Sequence, residues 1–282
     1  MNSVIEDYIA WSRKNLQSER SRVEYARDLS IFEAWLGKSL QDATKYDIEL
    51  YKRTSKVSNR TTNRKLSVLR SFYTFLVDSN KLGENPSDKV KGVKVDRRHV
   101  PRLVNLTSLN MLFAHKLFPD ESYNLILSQT IFRTFYYTGI RLSELIGIDV
   151  RDIDLENRKI TVTGKGNTRT IKFSKSLLDW LGQYSGYRSN QTIKGESAFF
   201  VSNESKRLTK SKIWYFFTKF KRHTGIHTNP HALRHTFASH ALSRGMDLAQ
   251  VQELLGHAEV ATTSIYIDVA KSTEDSYDKA FP

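Results

Sequence analysis

Apolar residues recur at helical spacing through the first third of the chain. Tyr25, Leu29, Phe32 and Leu36 form one stripe, and Leu66, Leu69, Tyr73 and Leu76 form another. Steps of three and four place such residues on one helix face. Residues 2–90 are therefore expected to be all-helical, a small bundle with an aromatic core that Gly83 and Pro86 close. The same period resumes after Leu103. Thr107 is expected to cap a helix through Phe113, and Leu127, Ile131 and Phe135 mark a buried helix that stops at Thr138-Gly139. Between 150 and 173 the period becomes two: residues 160–163 and 170–173 alternate, with Gly164-Lys165-Gly166-Asn167 as a hairpin turn between them. Helices over 175–187 and 209–223 follow, separated by a short apolar strand at 198–201. The expected class is mainly α with a small antiparallel β-sheet: an N-terminal helical bundle, then a mixed α+β domain.

Residues 91–103 contain one Gly and one Pro among several basic residues. They read as an extended linker between a domain at 1–90 and a second at 104–282. The polar tail from about Lys271, with Tyr277 and Phe281 as isolated apolar residues, reads as a detachable peptide, either a frayed terminus or a segment that docks on something such as a neighbouring subunit.

Charge narrows the partner. The 282 residues carry a formal net charge of +14, with an isoelectric point near 9.7, which favours a polyanion. On the helix carrying Leu66 and Leu69 the opposite face presents Arg60, Arg64, Ser67 and Ser71, and the run 58–65 contains no acid. Arginines, lysines and small hydroxyl residues suit phosphate contacts, so Arg60, Arg64 and Lys65 are the expected DNA contacts. No apolar run approaches the roughly 20 residues of a membrane span. The N-terminus has no signal-peptide layout, and the chain has no cysteine. A cytoplasmic protein is expected, without disulfides or thiolate metal sites.

The stretch from His231 to Tyr266 concentrates the candidate chemistry. Asn229-Pro230 is a helix start, an Asn cap followed by Pro at the first helical position. His231 and Arg234 then share a face. Gly245 and Asp247 end that helix and begin another, and Gly256 ends the second in a position where a left-handed residue is usual. His257 follows on the turn, with Tyr266 nine residues later. Arginine fits phosphate oxygens with two parallel donors, histidine moves protons near neutral pH, and tyrosine can serve as a covalent nucleophile. Upstream, Arg141 follows the helix-ending Gly139, with Glu144 one turn on, either holding Arg141 or forming a surface ion pair. Glycines flank Lys165 and would let the hairpin tip deliver it to a ligand.

These segments together resemble the tyrosine site-specific recombinases of the phage integrase family, with Xer-type members similar in layout. The resemblance rests on the run Thr138-Gly139-Ile140-Arg141-Leu142-Ser143-Glu144-Leu145, on Gly164-Lys165-Gly166-Asn167, on His231-Ala-Leu-Arg234-His235, on Leu255-Gly256-His257 and on Tyr266, in that order. The run from Asn63 to Leu76 resembles the family's helical core-binding domain. The resemblance implies a core DNA-binding domain at 1–90 and a catalytic domain at 104–282, without the arm-binding domain of lambda-like integrases. It implies that Arg141 and Arg234 grip the scissile phosphate, that His257 donates to the same oxygens, and that Tyr266 attacks to leave a 3′-phosphotyrosine. His231 is the candidate base and Lys165 the candidate acid for the leaving 5′-oxygen. No cofactor is expected, since two arginines and a lysine supply the charge a metal would supply. The implied partners are double-stranded DNA with inverted half-sites and three further subunits, copies of this chain or a related recombinase, in a tetramer that exchanges C-terminal tails and passes through a Holliday junction. A type IB topoisomerase, or a non-catalytic DNA-binding protein on the same scaffold, are the competing readings.

Overall fold

The computed structural model describes residues 3–13, 19–95, 103–119, 122–164, 167–189 and 197–256. The chain divides into two compact units, 1–99 and 100–282. Among the described residues no helix is long and apolar enough to cross a membrane.

The first unit holds α1 (Ser3–Ser12), α2 (Glu19–Leu36), α3 (Lys45–Thr54) and α4 (Asn59–Asp78). Side chains fix the helix starts. Thr44 and Asp47 form a reciprocal capping box on α3, and Ser58 accepts from the Thr61 N–H at the start of α4, satisfying amides that a helix leaves unpaired. Both predicted stripes face inward: Leu29, Phe32, Leu66, Leu69, Phe72, Tyr73 and Leu76 are buried in one cluster, with Tyr25 and Leu36 packed at its edge. The chain after the bundle is not a solvated tether at its start. Asn63 donates to the Val93 carbonyl at 2.8 Å and accepts from the Val93 N–H at 2.9 Å, and Asn59 donates to the Lys94 carbonyl. Two members of the acid-free run thus spend their amides on the chain rather than facing a ligand.

The second unit begins with α5 (Leu106–Ala114). Its cap is Asn105, which accepts from the Ser108 N–H at 2.8 Å. Thr107 lies inside the first turn, because an equally good capping residue stands two positions earlier. The core forms around α6 (Ser122–Thr138), whose Leu127, Ile131, Phe132 and Phe135 are fully buried. Several polar residues of α6 are buried too. Thr130, Thr134 and Thr138 each donate to the carbonyl four residues back, which pairs their hydroxyls locally.

After α7 (Leu142–Gly147) comes an antiparallel sheet in the order β1 (Ile153–Asp154), β2 (Lys159–Gly164), β3 (Asn167–Lys172). Its register pairs Ile160 with Ile171 and Gly164 with Asn167. Then come α8 (Lys175–Ser189), α9 (Lys210–Thr224), α10 (Pro230–Ser243) and α11 (Leu248–Leu255). The apolar run 198–201 is buried but is no strand: Ala198 and Val201 make only isolated bridges, to Asp149 and Arg207. Side chains and loop backbone take the places that a neighbouring strand would fill. Arg188 donates to the Ala198 carbonyl, Tyr184 to the Phe199 carbonyl, the Phe199 N–H to the Ile148 carbonyl, and the Val201 N–H to the Tyr184 hydroxyl.

Candidate active site

Two arginines from different helices meet at one turn. Asn229 caps α10, accepting from the Ala232 N–H, and Pro230 occupies the first helical position. One turn on, Arg234 points inward and is only 4% exposed. Its Nη1 donates to the Gly139 carbonyl at 2.6 Å and its Nη2 to the Leu255 carbonyl at 2.8 Å. A buried guanidinium is tolerated when acceptors surround it.

Arg141 arrives from the N-cap of α7. Its Nη2 donates to the Gly256 carbonyl at 2.8 Å and its Nη1 to Glu144 Oε1 at 2.8 Å. Gly256 closes α11 with φ +61° and ψ 48°, a left-handed conformation that costs glycine little. Consecutive carbonyls of this turn therefore accept from the two candidate phosphate clamps.

Glu144 is the hub. Its side chain has no solvent exposure. It accepts from the Arg141 backbone N–H at 2.7 Å and side chain at 2.8 Å. Arg169 on β3 adds a two-pronged pair, Nη1 to Oε1 and Nη2 to Oε2, each 2.9 Å, and its Nε donates to the Leu254 carbonyl at 2.7 Å. Burial pushes the Glu144 carboxyl up, but the hydrogen bonds from Arg169 and from the Arg141 backbone and side chain outweigh it. The net effect lowers the pKa from 4.5 to about 2, so the group is an anion at neutral pH. Glu144 is thus a fully buried anchor for Arg141 rather than a surface ion pair.

His231 stands exposed one turn before Arg234. Its Nε2 lies 2.8 Å from His235 Nε2, so one ring donates and the other accepts. Desolvation and then the Arg234 charge push the His231 pKa below the usual histidine range, which leaves the ring neutral and able to accept a proton near pH 7. Lys165, His257 and Tyr266 lie outside the described residues. The residues beside the first two do not: Gly164 and Asn167 close the hairpin ladder, and Gly256 holds Arg141.

Arg169 carries no role in the sequence reading. The signal was available. Period two along β3 places it on the same side as Ile171, which is buried, and a charge on an inward face requires a partner.

In the first unit, Arg60 is exposed. Arg64 is tied to Asp28, with Nη2 to Oδ1 at 3.1 Å and Nη1 to Oδ2 at 2.5 Å. Lys65 donates to the Tyr51 hydroxyl at 3.0 Å and sits 5.3 Å from its ring centroid. The three candidate DNA contacts therefore start from different states: Arg60 and Arg64 are both exposed, but Arg64 is held by an acid and Lys65 by a tyrosine. Among the described residues no group of three or more histidines and carboxylates is placed to hold a metal.

Comparison with known proteins gives one consistent neighbourhood. Residues 110–273 match the phage integrase family, and residues 5–80 match the N-terminal SAM-like domain of phage integrases. Tyrosine recombinase XerD of Lacticaseibacillus casei is 33% identical over 282 residues, covering 94% of each chain. Tyrosine recombinase XerC of Thermodesulfovibrio yellowstonii is 35% identical, covering 80% of this chain and 77% of that one. Among solved structures, XerH site-specific recombinase bound to a palindromic difH substrate superimposes with a TM-score of 0.76. It covers 92% of this chain and 79% of that chain at 20% identity. A Tn1549 transposon integrase in complex with transposon right end DNA gives 0.73 at 18% identity, covering 98% and 99%.

Proposed function

The chain belongs to the phage integrase family and is a tyrosine recombinase of the Xer type, and from that premise we propose that it cuts and rejoins DNA through a 3′-phosphotyrosine on Tyr266. The observation that carries the proposal is the convergence of Arg141 and Arg234 on the carbonyls of Gly256 and Leu255. Two guanidinium groups brought to one place can hold both non-bridging oxygens of a phosphodiester and stabilise the extra charge of a five-coordinate phosphorus.

In the forward step the Tyr266 oxygen bonds to phosphorus and the P–O5′ bond breaks. His231 takes the phenolic proton, which a neutral imidazole can do. Lys165 gives a proton to the departing 5′-oxygen, and His257 donates a hydrogen bond to the phosphate. Joining reverses each transfer with a 5′-hydroxyl from another strand as nucleophile. Bond energy stays in the phosphotyrosine, so no nucleotide is consumed, and the clamp charge replaces a metal. Strand exchange between two duplexes requires four such sites working as a tetramer, with a Holliday junction between the two rounds. XerH and the Tn1549 integrase were solved on DNA substrates, which supports double-stranded DNA with paired half-sites as the partner here. Arg60, Arg64 and Lys65 are proposed to track its backbone.

The test is covalent trapping. Binding sites are selected from random DNA by the purified chain and built into a nicked suicide duplex, in buffer containing EDTA. The wild-type chain is expected to form a protein–DNA adduct, and Tyr266→Phe to bind equally but form none. Cleavage by the Phe variant would mean the nucleophile is another residue.

A further inference from the structure

We infer that Arg169 is a positioning residue for the strand-cleavage step, acting through Glu144 and the Leu254–Gly256 turn on both phosphate-binding arginines; this rests on the phosphotyrosine reading above. Three observations carry it. Glu144, buried without solvent, receives four donors, two from Arg141 and two from Arg169. A buried carboxylate left with half its donors would draw harder on the remaining ones. Without Arg169 it would hold Arg141 against the protein instead of presenting it to a phosphate.

The second observation is the Nε bond to the Leu254 carbonyl, 2.7 Å. It fixes the last turn of α11, where the next two carbonyls receive Arg234 and Arg141. One planar guanidinium thus spans a strand, a buried acid and a helix end. A lysine could not do this, since it offers a point charge rather than a fork.

The third is steric. A Cβ on Gly256 would fall 2.9 Å from Arg169 Nη1 and 3.2 Å from its Cζ, and a Cβ on Gly164 would fall 2.7 Å from Glu144 Oε1. The backbone on each side has been thinned to glycine where the Glu144–Arg169 pair passes. In sequence these glycines immediately precede His257 and Lys165. The pair therefore packs against the residue that precedes each of the remaining candidate donors in sequence.

The experiment compares wild type, Arg169→Lys, Arg169→Gln, Glu144→Gln and the Arg169→Gln/Glu144→Gln double variant as full chains. Single-turnover adduct formation on the selected suicide duplex is measured at saturating protein, with DNA affinity by mobility shift in the same salt. End-point adduct counts the active fraction. Arg169→Lys and Arg169→Gln are expected to slow adduct formation by ~10–100-fold, the range for losing a residue that orients a site, with affinity within threefold. The double variant should be no slower than the worse single one. Arg169→Lys keeps the charge and size, so it decides the matter should the Gln variant not fold. An Arg169→Lys rate within threefold of wild type, an affinity loss as large as the rate loss, or additive losses in the double variant would each overturn the inference alone. Absence of any adduct from the wild-type chain would overturn the phosphotyrosine reading and this inference with it.

Discussion

Arg234 Nη1 donates to the Gly139 carbonyl at 2.6 Å, across 95 positions of sequence. The bond joins the helix that carries His231 to the residue that ends α6 and leads into Arg141. The geometry of the candidate clamp and the packing of the second unit are therefore one structure.

Replacing Arg234 by Lys keeps a charge but removes the ability to reach the Gly139 and Leu255 carbonyls together. Cleavage on the suicide duplex should fall by at least 100-fold, in line with ~2.7–4 kcal/mol for losing one preorganised donor to a developing anion. Quench-flow or manual time courses at saturating protein measure it. A loss below tenfold would remove Arg234 from the clamp.

Glu144 predicts a specific acid sensitivity. Its folded pKa of about 2 lies below its ordinary 4.5, so its stabilisation is in place above pH 4.5 and drains as pH falls through about 2. The amount is ~3 kcal/mol, an order-of-magnitude figure from linkage. Urea melts of wild type and Glu144→Gln across pH 2–6 should show a stability difference that narrows as pH drops. Parallel curves would show that the carboxylate is not held by Arg141 and Arg169.

Arg60 and Arg64 of α4 should differ in their salt signatures. Arg60→Ala should lower the dependence of log K on log salt by about one phosphate contact. Arg64→Ala should lower it less, because engaging DNA first requires Arg64 to leave Asp28. Asp28→Asn removes that tie and should raise affinity at low salt. Filter binding from 50 to 300 mM salt tests the set, and equal slopes for all variants would remove α4 from the DNA contacts.

Gly256→Ala should destabilise the second unit by about 1–3 kcal/mol, combining left-handed backbone strain with the approach to Arg169. That corresponds to a few degrees in Tm for a unit of this size. Gly256→Asn relieves only the backbone strain, so it should recover part of the loss. Full recovery would show that the Arg169 contact is not tight.

Helix ends were legible because their signals are local. Asn229-Pro230, Asp247 and Gly256 act within one turn of themselves, and each sits where its chemistry requires. Thr107 failed as a cap only because Asn105 competed within the same turn. The run 198–201 read as a strand from its apolar, bounded character, but what satisfies its backbone comes from Tyr184, Arg188 and Ile148, and no local pattern announces them. The same holds for Arg64, whose partner Asp28 is 36 positions away, and for Asn59 and Asn63, which bind chain 30 or more positions downstream. The candidate site was legible as an ordered set of motifs matching a family. Arg169 belongs to none of them, and only the packing of β3 against α7 and α11 gives it partners.

The carbonyls of Leu255 and Gly256 already occupy the guanidinium groups of Arg234 and Arg141. In the proposed reaction a phosphate would meet two guanidinium groups already oriented by the dipoles of one short turn. A guanidinium carries five N–H groups, so holding a carbonyl does not by itself bar a phosphate, and a shift of these two peptide groups would turn both arginines together. Whatever displaces that turn would thereby move both proposed holds on the scissile phosphate at once.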